Sequence, residues 1–310
     1  MAGWRVRRMG RAPRIGNRFG LSWIVGVVVL AVVAPTRPLT DRMGRTVTVP
    51  AGGPRRVIAM NPSIAEMLVW LGVADRIVAV SEFTDLPEVR DRPRVGGPLT
   101  PNAEQIVALR PDMVLLDRHH NPKTLADLLD RVGIPYFVLA TQGIEDVWEN
   151  LRLLGEMFDR SERAQAWWDR WTATTQCLDR AAWRRKPRAF FLLSERPVYT
   201  VGQGSFILEV LEHAGLDVVT RAVPRPWSPV DIEAVVRWDP EIVLVPENQY
   251  KSARRNLEVL PAWRSVTAVR TGRVVAVPTR ILHPSPYLLD VLRTVVERFH
   301  GPGPWTTCFR

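Results

Sequence analysis

Asp117-Arg118-His119-His120-Asn121 is the densest run of metal-competent side chains in the chain. Imidazole nitrogens and a carboxylate oxygen suit zinc, iron or cobalt. His283 stands in a second loop far along the chain, where it could supply an axial bond to a metal already held in a chelate. Adjacent histidines on a loop point apart, and no Cys-x-x-Cys or helical His pair accompanies them. That pattern favours a pre-chelated metal over a bare ion and leaves no metal ligated by the protein alone; His119, His120 and His283 are the candidate axial donors. Other chemistries lack their residues. Gly204-Ser205-Phe206 is not the Gly-x-Ser-x-Gly elbow of a hydrolase. Gly202-Gln203-Gly204 is too short for a dinucleotide fingerprint, and no phosphate-binding Gly-Lys-Ser/Thr loop follows. The reading is of a protein without catalysis or a cofactor of its own. The alternatives are a metal-dependent enzyme built on Asp117, His119 and His120, and a scaffold binding protein through its Trp-rich segment.

The elements that must position these residues alternate. Short β-branched runs at 56–60, 76–80, 112–116 and 135–139 are strands separated by helical patterns at 64–71, 103–109 and 125–132. Such alternation predicts parallel sheet in βαβ units. The grammar then repeats. Ile64-x-Glu66-x-Leu68-x-x-x-Gly72 matches Ile207-x-Glu209-x-Leu211-x-x-x-Gly215 at an offset of 143. Glu104 to Leu116 matches Glu233 to Val245 at an offset of 129. Thr100-Pro101 and Ser228-Pro229 are read as helix caps ahead of the second pair. Between the halves, 143–186 holds no strand pattern. One amphipathic helix covers 143–158, and a second, Ser-capped at Ser161, runs through Trp167, Trp168 and Trp171 to about Arg185 before Pro187. Some 25 residues at 1.5 Å each give a rod of roughly 37 Å. The fold class is therefore α/β: two similar parallel-sheet lobes, joined by one long rigid helix, with the ligand cleft between them. Small rocking, not jaw-like closure, is the expected motion.

Residues 1–40 carry seven Arg and no acid, ahead of and around the apolar run Leu21–Ala34. That is the pattern of a signal peptide or a retained N-terminal membrane anchor. Removing it leaves 35 basic against 32 acidic residues, so the formal charge of +10 belongs to the leader and gives no case for nucleic acid. Cys177 and Cys308 are the only cysteines and could form at most one bridge. The expected organisation is a leader over 1–40, an N-terminal lobe over 41–142, a helical connector over 143–186, and a C-terminal lobe with a short tail over 187–310.

Asp41-x-x-Gly44-Arg45-x-Val47-x-Val49-Pro50, Arg56 to Leu68, Gly72 to Ser81, Pro93 to Gly97, Glu104 to Leu116 and Ser205 to Gly215 together resemble one receptor family. These are the substrate-binding proteins of ABC importers for cobalamin, haem and ferric siderophores, whose lobes are joined by a helical backbone. The resemblance covers about 41–300. It is nearest the cobalamin-binding branch through Pro226-Trp227 and Ser285-Pro286, while the loop Thr279–Pro284 departs from that branch. It implies an exported monomer at the periplasm or the outer face of the cytoplasmic membrane. Its partners would be a permease, an ATPase and a small metal-chelate ligand holding Co or Fe.

Ligands of α/β sheets sit beyond the carboxyl ends of the strands. The loops there place Ser63, Phe83, Pro98, His119, Tyr199, Trp227, Asn248 and His283 in the cleft. Phe83, Tyr199, Trp227 and Tyr250 are the aromatics able to cover a flat chelate. Ser63-x-x-Glu66 reads as a capping box. The family resemblance instead assigns Glu66 to salt-bridge docking on the permease, with Glu209 or Glu212 as its counterpart in the other lobe.

Overall fold

Successive residues of a strand face opposite sides of its sheet, and a sheet covered on both sides needs apolar residues at every position. That accounts for the unbroken apolar runs. A computed structural model describes residues 35–181, 183 and 185–310. A hairpin of β1 (Thr36–Thr40) and β2 (Thr46–Pro50) leads into the first lobe. This lobe runs β3 (Val57–Ala59), α1 (Pro62–Trp70), β4 (Ile77–Val80), α2 (Ala103–Ala108), β5 (Met113–Asp117), α3 (Lys123–Val132) and β6 (Tyr136–Leu139). Helices α4 (Ile144–Met157) and α5 (Ser161–Asp179) follow. The second lobe begins with β7 (Arg188–Phe191), β8 (Ser194–Glu195), β9 (Val198–Val201), α6 (Phe206–His213), β10 (Asp217–Val218) and β11 (Trp227–Pro229). It continues with α7 (Ile232–Trp238), β12 (Ile242–Pro246), α8 (Glu247–Val259), α9 (Pro261–Arg264), α10 (Thr267–Arg270), β13 (Val274–Val277) and α11 (Leu288–His300).

Each lobe holds one parallel four-stranded sheet, ordered β4-β3-β5-β6 and β10-β7-β12-β13. Ranked by position in the chain, both orders read second, first, third, fourth. The repeat in the sequence is thus a repeat of topology. Strands β8, β9 and β11 form a separate antiparallel sheet in the second lobe. The matched glycines also do the same work. Gly72 and Gly215 lie at φ +78° and +75°, a left-handed helix end that glycine adopts without steric cost.

The core joins the two lobes. Val57, Ala59, Met113 and Leu115 of one sheet and Ala189, Phe191, Ile242 and Leu244 of the other belong to a single buried cluster. Residues of α1, α4, α5, α6 and α11 complete it. The alternate residues of the same strands fall into two outer clusters, one per lobe, with Ile58 and Val114 in one and Phe190 and Val243 in the other. Because the inner faces of both sheets share one core, hinge opening would expose apolar surface at about 25 cal/mol per Å².

Several local expectations are corrected. A leader ending at residue 40 would take in the whole of β1, which pairs with β2 and whose Arg37 pairs with Asp159 at 2.7 Å, so residues 35–40 belong to the same compact unit as the lobes. The export signal or anchor expected from the sequence falls in residues 1–34, which lie outside the described residues. Helix α5 has 19 residues, about 28 Å, and ends at Asp179 and not at Arg185. Beyond it Trp183 packs on His300, with ring centroids 4.1 Å apart. The cap positions are Asn61, Asn102, Arg160 and Asp231, not Ser63, Thr100, Ser161 or Ser228. Asn102 takes the role because its side-chain oxygen reaches the Gln105 N–H at 3.0 Å. The Trp-rich rod is no open protein-binding face. Trp167 and Trp171 are buried, and Trp168 stacks on Trp148 of α4 with centroids 5.4 Å apart.

Candidate functional site

The strand order reverses beside β3 and β5 in the first lobe and beside β7 and β12 in the second. The carboxyl ends of such strands open a crevice. A cavity of about 240 Å³ lies between the lobes there, lined by His120 and Thr141 from one and by Phe206, Ile207, Trp227, Leu282 and Pro284 from the other. Trp227, at the start of β11, is 39% exposed and meets Phe206 edge-on with centroids 5.7 Å apart. An exposed indole braced from behind is a ready face for a flat apolar ligand. Thr141 is held in place by Asn150, whose side-chain amide donates to its hydroxyl at 2.7 Å. A larger cavity, about 530 Å³, lies between β6, α3 and the turn of the β1–β2 hairpin. It draws on one lobe alone, and Arg45 lies over the Tyr136 ring inside it at 3.7 Å. The interlobe cavity is the better candidate because both repeats contribute to it.

The loop after β5 is built around a buried carboxylate. Asp117, 3% exposed, accepts from the His119 backbone N–H and is bonded to His120 Nδ1, both at 2.8 Å. Asn121 Oδ1 accepts from the Asp117 backbone N–H at 2.7 Å, and its amide donates to the Pro98 carbonyl at 2.9 Å. The Asp117 carboxylate raises the His120 pKa above its ordinary value against the opposing effect of burial. His119 is exposed and does not line the interlobe cavity. Among the described residues no three His, Cys, Asp or Glu side chains converge as a metal site.

The other expected cleft residues divide. Phe83 stands out at 63% exposure. Ser63 is buried in α1, and Tyr199 lies half-buried in β9 opposite Pro229. Asn248 is exposed at the start of α8, where its backbone N–H donates to Thr279 Oγ1 at 3.1 Å. Tyr250 packs on the outer core of the second lobe, away from the cleft aromatics it was grouped with. Leu282 belongs to the loop Arg280–His283 that was expected to line the cavity, whereas Phe206, Ile207, Thr141 and Pro284 line it without having been expected there. Their only signal in the sequence was position just after a strand or just before Ser285-Pro286.

Glu66 is corrected most sharply. It makes no capping box and is no surface charge. At 2% exposure its carboxylate crosses between lobes, accepting from His283 at 2.9 Å and from the Ser285 hydroxyl, with Arg280 Nε at 3.3 Å. The loop it grips is also held by the rod, since Trp167 Nε1 donates to the Pro286 carbonyl at 3.0 Å. A carboxylate so enclosed cannot meet a permease arginine without first leaving three partners. Its repeat mate Glu209 reaches the connector, accepting from the Ile144 N–H of α4 at 3.3 Å. Burial raises the Glu209 pKa, and the Ile144 bond opposes that rise. Glu212 lies at the surface, 3.2 Å from Arg221.

Two topologically equal lobes, a helical connector and a cleft at paired switch points define a two-lobed binding protein. The chain belongs to the family described as periplasmic binding protein, whose model matches residues 57–281. It is 28% identical over 250 residues to a vitamin B12-binding protein of Vibrio parahaemolyticus, spanning 79% of this chain and 90% of that one. Among solved structures it is similar to the periplasmic vitamin B12-binding protein BtuF of Vibrio cholerae, at 24% identity and a TM-score of 0.65, covering 78% and 95% of the two chains. It is also similar to a periplasmic haem-binding protein from Pseudomonas aeruginosa, at 23% identity and a TM-score of 0.71, covering 80% and 93%.

Proposed function

We propose that this protein is an extracytoplasmic receptor that captures a metal chelate between its lobes and delivers it to the permease of an ABC importer, driven by an ATPase. The ligand class is cobalamin, haem or a ferric siderophore. The observation that carries this reading is the interlobe cavity with Trp227 exposed at its wall. At about 240 Å³ the enclosed space is smaller than a typical small-molecule site of roughly 300–1,000 Å³. A chelate would therefore lie across the mouth, over the exposed indole, with only part of it inserted. The protein acts by binding and release without turnover. The relatives named for vitamin B12 and haem support the class, and the Cys177–Cys308 disulfide suits an oxidising compartment.

Titration with cyanocobalamin, ferric protoporphyrin and a ferric hydroxamate, followed by tryptophan fluorescence, tests this reading. One of them should saturate at one per chain and be recovered intact. Trp227→Ala should weaken it about tenfold, about 1.4 kcal/mol. Consumption of the chelate, or no saturable binding, would overturn the reading. With Glu66 enclosed, contact with the permease falls to Glu209 and Glu212. The surface pair of Glu212 with Arg221 is of a kind worth about 0–1 kcal/mol and exchanges cheaply for another cation. Glu212→Lys should lower cellular uptake several-fold while affinity in solution holds. Normal uptake would remove Glu212 from the docking surface.

A further inference from the structure

Resting on the receptor reading, we infer that His120 is the axial ligand to the metal of a planar tetrapyrrole bound across the interlobe cleft, with Asp117 as its positioning residue. The Nδ1 atom is committed to the buried Asp117 carboxylate at 2.8 Å. That bond fixes the tautomer, with the proton on Nδ1 and the lone pair on Nε2. A carboxylate behind an imidazole is the arrangement that orients metal-ligating histidines and raises their basicity. The carboxylate is itself immobile, tied to the His119 N–H and set in the turn that Asn121 closes. The ring is the exposed part of the pair, at 55%, and it lines the cavity that Trp227 lines from the opposite lobe. It also stands directly after β5, at the switch point of its sheet.

The other histidines do not compete. Neither His119 nor His283 lines the interlobe cavity, and the His283 ring, also backed by a carboxylate, is the less exposed, at 27% against 55% for His120. One imidazole does not hold a bare ion, and no three ligating side chains converge among the described residues. The metal must therefore arrive with its other positions filled. A hexadentate siderophore leaves no position on its iron for an imidazole. A planar tetrapyrrole leaves an axial one, and its face matches an exposed indole. The site thus selects cobalt or iron in a tetrapyrrole over a ferric siderophore.

The test uses the full chain with aquocobalamin and with ferric protoporphyrin, read by visible absorption and by affinity. The wild type should give an imidazole-ligated spectrum with at least one of them. His120→Ala should lose that spectrum and bind about 10- to 100-fold more weakly. Added free imidazole should restore the spectrum to the His120→Ala complex, and His119→Ala should match the wild type. Asp117 keeps the His119 N–H when the His120 ring is removed, and a melting curve run beside the titration checks that His120→Ala is folded. If a tetrapyrrole binds and its spectrum is the same in wild type and His120→Ala, the axial role is wrong while the receptor reading stands. If neither tetrapyrrole binds but a ferric hydroxamate does, the ligand class inferred here is wrong. If no chelate binds at all, the receptor reading falls and this inference with it.

Discussion

Glu66→Ala melts with about 2–3 kcal/mol less stability than the wild type, because it removes a buried acceptor that serves both lobes. Ser285, 0% exposed, loses the only partner its hydroxyl reaches among the described residues, and that alone is costly. His283 loses its Nδ1 bond as well. Arg280 contributes less. Its guanidinium is 39% exposed and lies over the Tyr287 ring at 4.2 Å, so water and the ring replace much of what the carboxylate supplied. Glu66→Gln keeps one acceptor oxygen for Ser285 and should cost about 1 kcal/mol. Urea melts of the two variants beside the wild type measure this. The ordering matters more than the totals: Ala must cost more than Gln. A Glu66→Ala protein that melts like the wild type would show that the interlobe bond carries no stability. Because the same loop is held by Trp167, loosening it should also widen the range of lobe positions seen by scattering.

Removing the Cys177–Cys308 bridge should cost about 2–4 kcal/mol and leave ligand affinity unchanged. The bridge joins α5 to the C-terminal segment Pro304–Phe309 and closes a loop with a sequence separation of 131 residues. Closing so long a loop restricts the unfolded chain strongly, while measured gains fall short of the full entropic figure. The segment also buries Trp305 against the rod, and that contact remains when the thiols are reduced. The loss should therefore appear as a lower melting point, with the tail still docked at moderate temperature. Neither cysteine lines the interlobe cavity, which is why affinity should hold. Melts with and without reductant, alongside a Cys177→Ser/Cys308→Ser double variant, decide the matter. Equal melting in both conditions would mean that the bridge adds no stability.

Features governed by neighbours along the chain were the ones legible in the residues alone. Apolar runs with helical patterns between them specified βαβ units, and Glu66 with Gly72 recurring as Glu209 with Gly215 specified two equivalent lobes. A glycine at a helix end is demanded by φ, a property of one residue, and so it is legible. The resemblance to importer receptors followed from the order of such motifs. Partnership across distance was not legible there, because it depends on how the lobes pack. Ser63-x-x-Glu66 has the spacing of a capping box, but α1 starts at Pro62 behind Asn61, which leaves the Glu66 carboxylate free of the cap. It then finds Ser285, 219 residues away. The rod shows the same limit: helical periodicity runs on to Arg185, yet the chain leaves the helix after Asp179 and Trp183 packs on His300. Adjacent His119 and His120 are equal in sequence and unequal in space, because the turn around Asp117 takes the backbone of one and the ring of the other. Local periodicity records what a segment buries, whereas a hydrogen bond between segments depends on where the whole core sets each of them.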